Sequence, residues 1–99
     1  MLYSTFFLKD NVYLNVYVMK ECEDRDGGNN LAIRIEQKSN EDNFCEWRLP
    51  DVTCSKSFGF SENDLFKIED YLTVNESIIW DEWRENKNAR RVSLAPIRG

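Results

Sequence analysis

The chain contains no histidine. That absence removes the commonest general base, the commonest metal ligand and every catalytic triad built on an imidazole. Cysteine is scarce and odd in number. Cys22, Cys45 and Cys54 lie 23 and 9 residues apart, a spacing of neither a disulfide framework nor a metal knuckle. They read as reduced thiols in or near a core, with no imidazole to activate any of them. Four glycines and two prolines leave no glycine-rich phosphate loop, dinucleotide fingerprint or nucleophile elbow. The acidic loop around residues 22–28 lacks the ligand spacing of a calcium loop. No apolar run approaches the roughly 20 residues of a membrane span. The opening segment, interrupted by Lys9 and Asp10, has no basic start and does not read as an export signal. The expectation is a cytoplasmic, non-enzymatic protein with no catalytic residues, no cofactor, no metal and no membrane contact.

What is present describes one domain. Ninety-nine residues, 41% of them hydrophobic, suffice for a single modest core. Residues 1–50 carry period-two patterning. Leu2, Ser4, Phe6 and Leu8 alternate with Tyr3, Thr5 and Phe7, and after a polar break Val12, Leu14, Val16 and Val18 share one face. Tyr13, Asn15, Tyr17 and Met19 share the other. Past a polar loop ending in Gly27-Gly28-Asn29-Asn30, Leu31, Ile33 and Ile35 point inward, against Ala32, Arg34, Glu36 and Lys38. Cys45, Trp47 and Leu49 repeat the inward pattern, with Glu46 and Arg48 outward, and Pro50 ends that strand. Residues 57–60 read either as a short extra strand or as an aromatic plug beneath a helix.

From Ser61 the period lengthens. Ser61 followed by Asp64 forms a capping box with Asp in the acidic position. Leu65, Ile68, Leu72 and Ile79 then follow helical spacing. Thr73 and Asn75 repeat the N-cap signature in mid-segment, which predicts two helices meeting there or one bent helix. The expected fold is α+β: an antiparallel meander of about four strands (residues 1–50) covered on one face by two C-terminal helices (61–87), with a basic tail (88–99).

Charge is unevenly spread. The chain carries −5, yet residues 84–99 hold Arg84, Lys87, Arg90, Arg91 and Arg98 against Glu85 alone, so the remainder carries −9. An acidic body disfavours direct nucleic-acid binding, while a basic end offers an oriented contact, or simply complements a helix C-terminus. The carboxylate clusters are solvated surface, or an array imitating phosphates. Thirteen aromatic residues exceed what so small a core absorbs. Tyrosine and tryptophan are enriched at protein interfaces, so the predicted partner-binding residues are Tyr13, Tyr17, Trp83, Arg84, Arg90 and Arg91.

Residues 65–83 (LFKIEDYLTVNESIIWDEW) resemble the helical half of a small prokaryotic family of unknown function. Leu65, Ile68, Tyr71, Val74, Ile79 and Trp83 occupy its apolar positions. The resemblance implies a short antiparallel sheet followed by two helices, in proteins often encoded beside a second small domain in toxin–antitoxin-like pairs. The family's Pro-Pro-His-x-His stretch has no counterpart here, where residues 27–33 read GGNNLAI. Any activity resting on those histidines is not shared.

The expected function is a protein–protein interaction module of a bacterium or phage, whose partner is another protein, as in a toxin–antitoxin-like pair. The alternative is an acidic phage-type inhibitor or mimic acting on a nucleic-acid-processing defence enzyme, of the anti-CRISPR or anti-restriction class. An unpaired edge at residues 2–8 or 90–97 would also admit a second copy, giving a homodimer.

Overall fold

A computed structural model describes the backbone of residues 1–94 and the side chains of residues 1–87. Five strands run β1 (Leu2–Lys9), β2 (Val12–Glu23), β3 (Asn29–Gln37), β4 (Asn40–Leu49) and β5 (Thr53–Phe58). They form one antiparallel sheet in the order β1-β2-β3-β4-β5. Each neighbour is reached by a short turn, so local hairpin chemistry sets the whole topology. Asn11, at the β1–β2 turn, takes φ 57°, a left-handed conformation that asparagine tolerates well. A single helix, α1 (Glu62–Leu94), follows.

The period-two pattern places every second strand residue on one face. Leu14, Val16 and Val18, then Leu31, Ile33 and Ile35, then Cys45, Trp47 and Leu49 are all buried there. Ile68, Leu72 and Ile79 of α1 complete the same core. Their spacing of four and seven residues keeps them on one helical stripe. The predicted roofing of the aliphatic face by the 65–83 segment is therefore present.

Ser61 and Asp64 start the helix as read. The Asp64 backbone N–H donates to Ser61 Oγ (3.1 Å), and the Ser61 N–H donates to Asp64 Oδ2 (3.0 Å). Lys9 Nζ, from the end of β1, lies 3.1 Å from the same carboxylate. Burial alone would raise the Asp64 pKa, but the Ser61 donors and Lys9 outweigh it and hold the carboxyl below its usual range.

Two expectations are corrected. The sheet has five strands rather than about four: residues 53–58 pair with β4, opposing Phe58 to Phe44 and Lys56 to Glu46. One helix replaces two, because both mid-segment capping candidates turn backwards. Thr73 Oγ1 donates to the Glu69 carbonyl (2.8 Å) and Asn75 Nδ2 to the Tyr71 carbonyl (2.8 Å). These bonds reach carbonyls four residues back instead of capping a new N-terminus. The helix runs on to Leu94, so the first part of the proposed 90–97 edge is helical. Residues 95–99 lie outside the described residues.

The β5-to-α1 junction needs Gly59. Its φ is +81°, and an added Cβ would fall on the Asn43 side chain. The helix is fastened to the sheet at both flanks. On the β1 side Tyr3 Oη donates to Asn75 Oδ1 (2.9 Å), Tyr71 Oη donates to Ser4 Oγ (3.0 Å), and Phe6 stacks on Tyr71. Further along, Trp83 Nε1 donates to Glu21 Oε1 (2.8 Å), which also accepts from Lys87 Nζ (3.2 Å).

Candidate interaction face

With the helix on one side, the other side of the sheet carries what the alternation turned outward. Three rows of side chains cross it. Phe7 of β1 faces Tyr13 of β2, their rings edge to face at 5.6 Å. Asn15, Glu36, Phe44 and Phe58 form a second row across β2 to β5, with Phe44 and Phe58 rings 5.2 Å apart. The third row runs Tyr17, Arg34, Glu46, Lys56. Beyond it Lys20 and Arg48 flank Ala32. Phe7 (57%) and Phe58 (53%) are among the most exposed large apolar residues described, and Met19 stands equally clear.

Arg34 organises the centre. Its Nε lies 2.6 Å from Glu36 Oε2 and its Nη1 3.3 Å from Glu46 Oε2, while its guanidinium lies over the Phe44 ring at 3.9 Å. The Glu36 hydrogen bond, with further help from Glu46, raises its pKa, so this cation is permanent. Lys20, Arg48 and Lys56 make no ion pair among the described residues. At its paired strand positions the face carries Lys20, Arg34, Arg48 and Lys56 with Glu36 and Glu46, and Asp24 and Asp51 line a hollow beside Arg48 at its end. The whole chain carries −5. A hollow of about 330 Å³ opens between Met19, Lys20, Arg34, Glu46 and Arg48.

Of the six residues named from the sequence, the four with described side chains do not converge. Tyr13 is exposed and Tyr17 half-buried, both on this face. Trp83 sits on the opposite side, half-buried in the helix–sheet seam and hydrogen-bonded to Glu21. Arg84 is exposed on α1, 3.5 Å from Asp81 and above the Trp80 ring. The side chains of Arg90 and Arg91 lie outside the described residues. Phe7, Phe44, Phe58 and the free cations were not singled out as a site. The outward alternation of Arg34, Glu46 and Arg48 was the available signal. It lacked the β5 register that brings Lys56 and Phe58 alongside.

Among the described residues no group of three His, Cys, Asp or Glu side chains gathers to hold a metal. Cys45, the most buried thiol, is pushed up to about 12 by burial, far from a thiolate at neutral pH. No described helix is long and apolar enough to cross a membrane. Compared with protein-family models, curated proteins and solved structures, the chain matches none.

Proposed function

We propose that the chain is a non-enzymatic protein-binding module that docks through the open face of its sheet, on a partner presenting carboxylates around an apolar centre. The observation that carries this reading is the set of cations without an ion pair among the described residues, Lys20, Arg48 and Lys56, on the face that bears the Tyr13, Phe44 and Phe58 rings. Aromatic rings and arginine dominate interface energetics, because they bury large area at small entropic cost. Lys20, Arg48 and Lys56 supply unpaired donors for the partner's carboxylates, and Arg34, already held by two glutamates, acts as a rigid platform. The resemblance of residues 65–83 to a prokaryotic family makes the product of a neighbouring gene, as in a toxin–antitoxin-like pair, the first partner to test.

The acidic-mimic reading draws on a different surface. Glu62, Glu69 and Glu76 recur every seven residues along α1, roughly 10.5 Å apart at 1.5 Å per residue. Two charge-reversal variants separate the readings: Arg48→Glu/Lys56→Glu on the sheet and Glu69→Lys/Glu76→Lys on the helix. Co-purification from the native cell is measured with each, with and without nuclease. Loss of the same protein only from the sheet variant supports open-face docking. Loss only from the helix variant favours mimicry, and a nuclease-sensitive complex overturns a protein partner altogether.

A further inference from the structure

The two edges of the sheet are not alike. β5 is six residues long, has a register irregularity opposite Glu46 and Trp47, and carries Lys56. Shortness, irregularity and an outward lysine are the usual means of keeping an edge from pairing with another chain. β1 has register shifts of its own, between Leu2 and Ser4 and between Phe7 and Lys9, but it is longer and its regular stretch between them lacks charge. From Leu2 to Leu8 it bears no charge and no proline, and its one cation, Lys9, is drawn back to Asp64 at the helix start. Its outward backbone donors and acceptors have no strand partner among the described residues.

The surface beside that edge is also apolar. Between β1 and α1 lies a groove of about 430 Å³ lined by Phe6, Phe7, Leu8, Tyr71 and Val74, with Lys67 and Asp70 at its rim. Val74 is 76% exposed and Ile78, one turn on, 48%. Neither contributes to the core, so their exposure has no folding rationale.

We propose that β1 pairs with β1 of a second copy, antiparallel about a two-fold axis, extending the sheet to ten strands and covering the Val74–Ile78 flank of both helices. The rim charges favour a second copy over a foreign strand. One cation and one carboxylate in the same groove are self-complementary under a two-fold, which brings Lys67 of one copy towards Asp70 of the other. The pattern of β1 is self-complementary too. Pairing centred on Thr5, in the regular stretch between the two register shifts, sets Ser4 against Phe6 of the other copy. Of the open-face residues only Phe7 lines this groove, and the cations of that face lie on β2 to β5, so this interface is tested independently of the docking reading.

Sedimentation equilibrium of the full chain across a concentration series is the test. Two variants accompany it: Thr5→Lys, which charges the edge at an exposed position, and Val74→Glu/Ile78→Glu, which charges the flank without touching the core. The wild type should sediment at twice the 11.8 kDa chain mass at micromolar concentration. Each variant should weaken association by about tenfold or more while keeping a native circular dichroism spectrum. Added salt should weaken the wild-type dimer by no more than a few-fold, since screening of the Lys67–Asp70 contacts is offset by screening of the repulsion between two negatively charged copies and the contact is mainly apolar. A wild-type monomer up to millimolar chain overturns the proposal. So does a dimer that survives both substitutions, or one that forms equally well after removal of the edge by pairing with an added β1 peptide.

Discussion

The bond from Trp83 to Glu21 ties α1 to β2 across 62 residues of sequence, and its strength can be isolated. A neutral donor on a charged acceptor contributes about 1.5–3 kcal/mol when well shielded. The Glu21 side chain retains 21% exposure, which lowers the expectation to about 1–2 kcal/mol. Trp83→Phe removes the indole donor and part of the ring area, for a total near 2 kcal/mol. Glu21→Gln keeps an acceptor oxygen but loses the charge shared with Lys87, for about 1 kcal/mol. Because Trp83→Phe removes the donor and Glu21→Gln weakens the acceptor of the same bond, the double variant should fall short of the sum by about 0.5 kcal/mol or more in urea unfolding at pH 7. The Trp83 hydrogen bond, then Lys87, holds the Glu21 pKa below its ordinary value. A depressed carboxylate stabilises fully above its unfolded pKa and loses that contribution as pH falls through its folded one. The coupling should therefore be present at neutral pH and shrink in acid. Strict additivity, within about 0.3 kcal/mol, would refute the clamp.

Three further outcomes follow from the core and its junctions. Ile79→Ala, in a fully buried position, should cost about 2–5 kcal/mol, whereas Phe66→Ala on the exposed side of the same helix should cost under about 1 kcal/mol; calorimetry distinguishes them. Asp64→Asn should lose about 1–2 kcal/mol at pH 7, and the difference from wild type should vanish as pH falls through the depressed Asp64 pKa, read from urea midpoints across the acid range. Gly59→Ala should destabilise by at least about 1 kcal/mol in thermal melts, since its φ is left-handed and its Cβ site is occupied by Asn43.

Much of the sheet was legible because alternation and burial report the same face. The inward sets on β2, β3 and β4 are those that α1 covers, and the Ser61–Asp64 box begins the helix. β5 was ambiguous for a physical reason. TCSKSF has one large apolar residue, so its position comes from backbone pairing to β4 rather than from a hydrophobic face. The helix break was misread because Thr73 and Asn75 have the chemistry of caps. Residue type cannot show that their side chains would return to carbonyls four residues earlier. The candidate face was half legible. Tyr13, Tyr17, Arg34 and Arg48 followed from alternation, but uniting them with Phe58 and Lys56 required the fifth strand. Trp83 looked like a docking residue for the same properties that suit a helix–sheet seam, a broad ring with one polar end.

Selective methyl labelling offers the most direct trial of the arrangement, in which α1 shields the aliphatic side of the sheet and the aromatic side faces water. Nuclear Overhauser contacts should link methyls of Ile68, Leu72 and Ile79 to those of Val16, Val18, Ile33 and Ile35, while a soluble paramagnetic probe broadens the Met19 methyl alone among these. Contacts from the helix methyls to Met19, or equal broadening of the strand methyls, would contradict it.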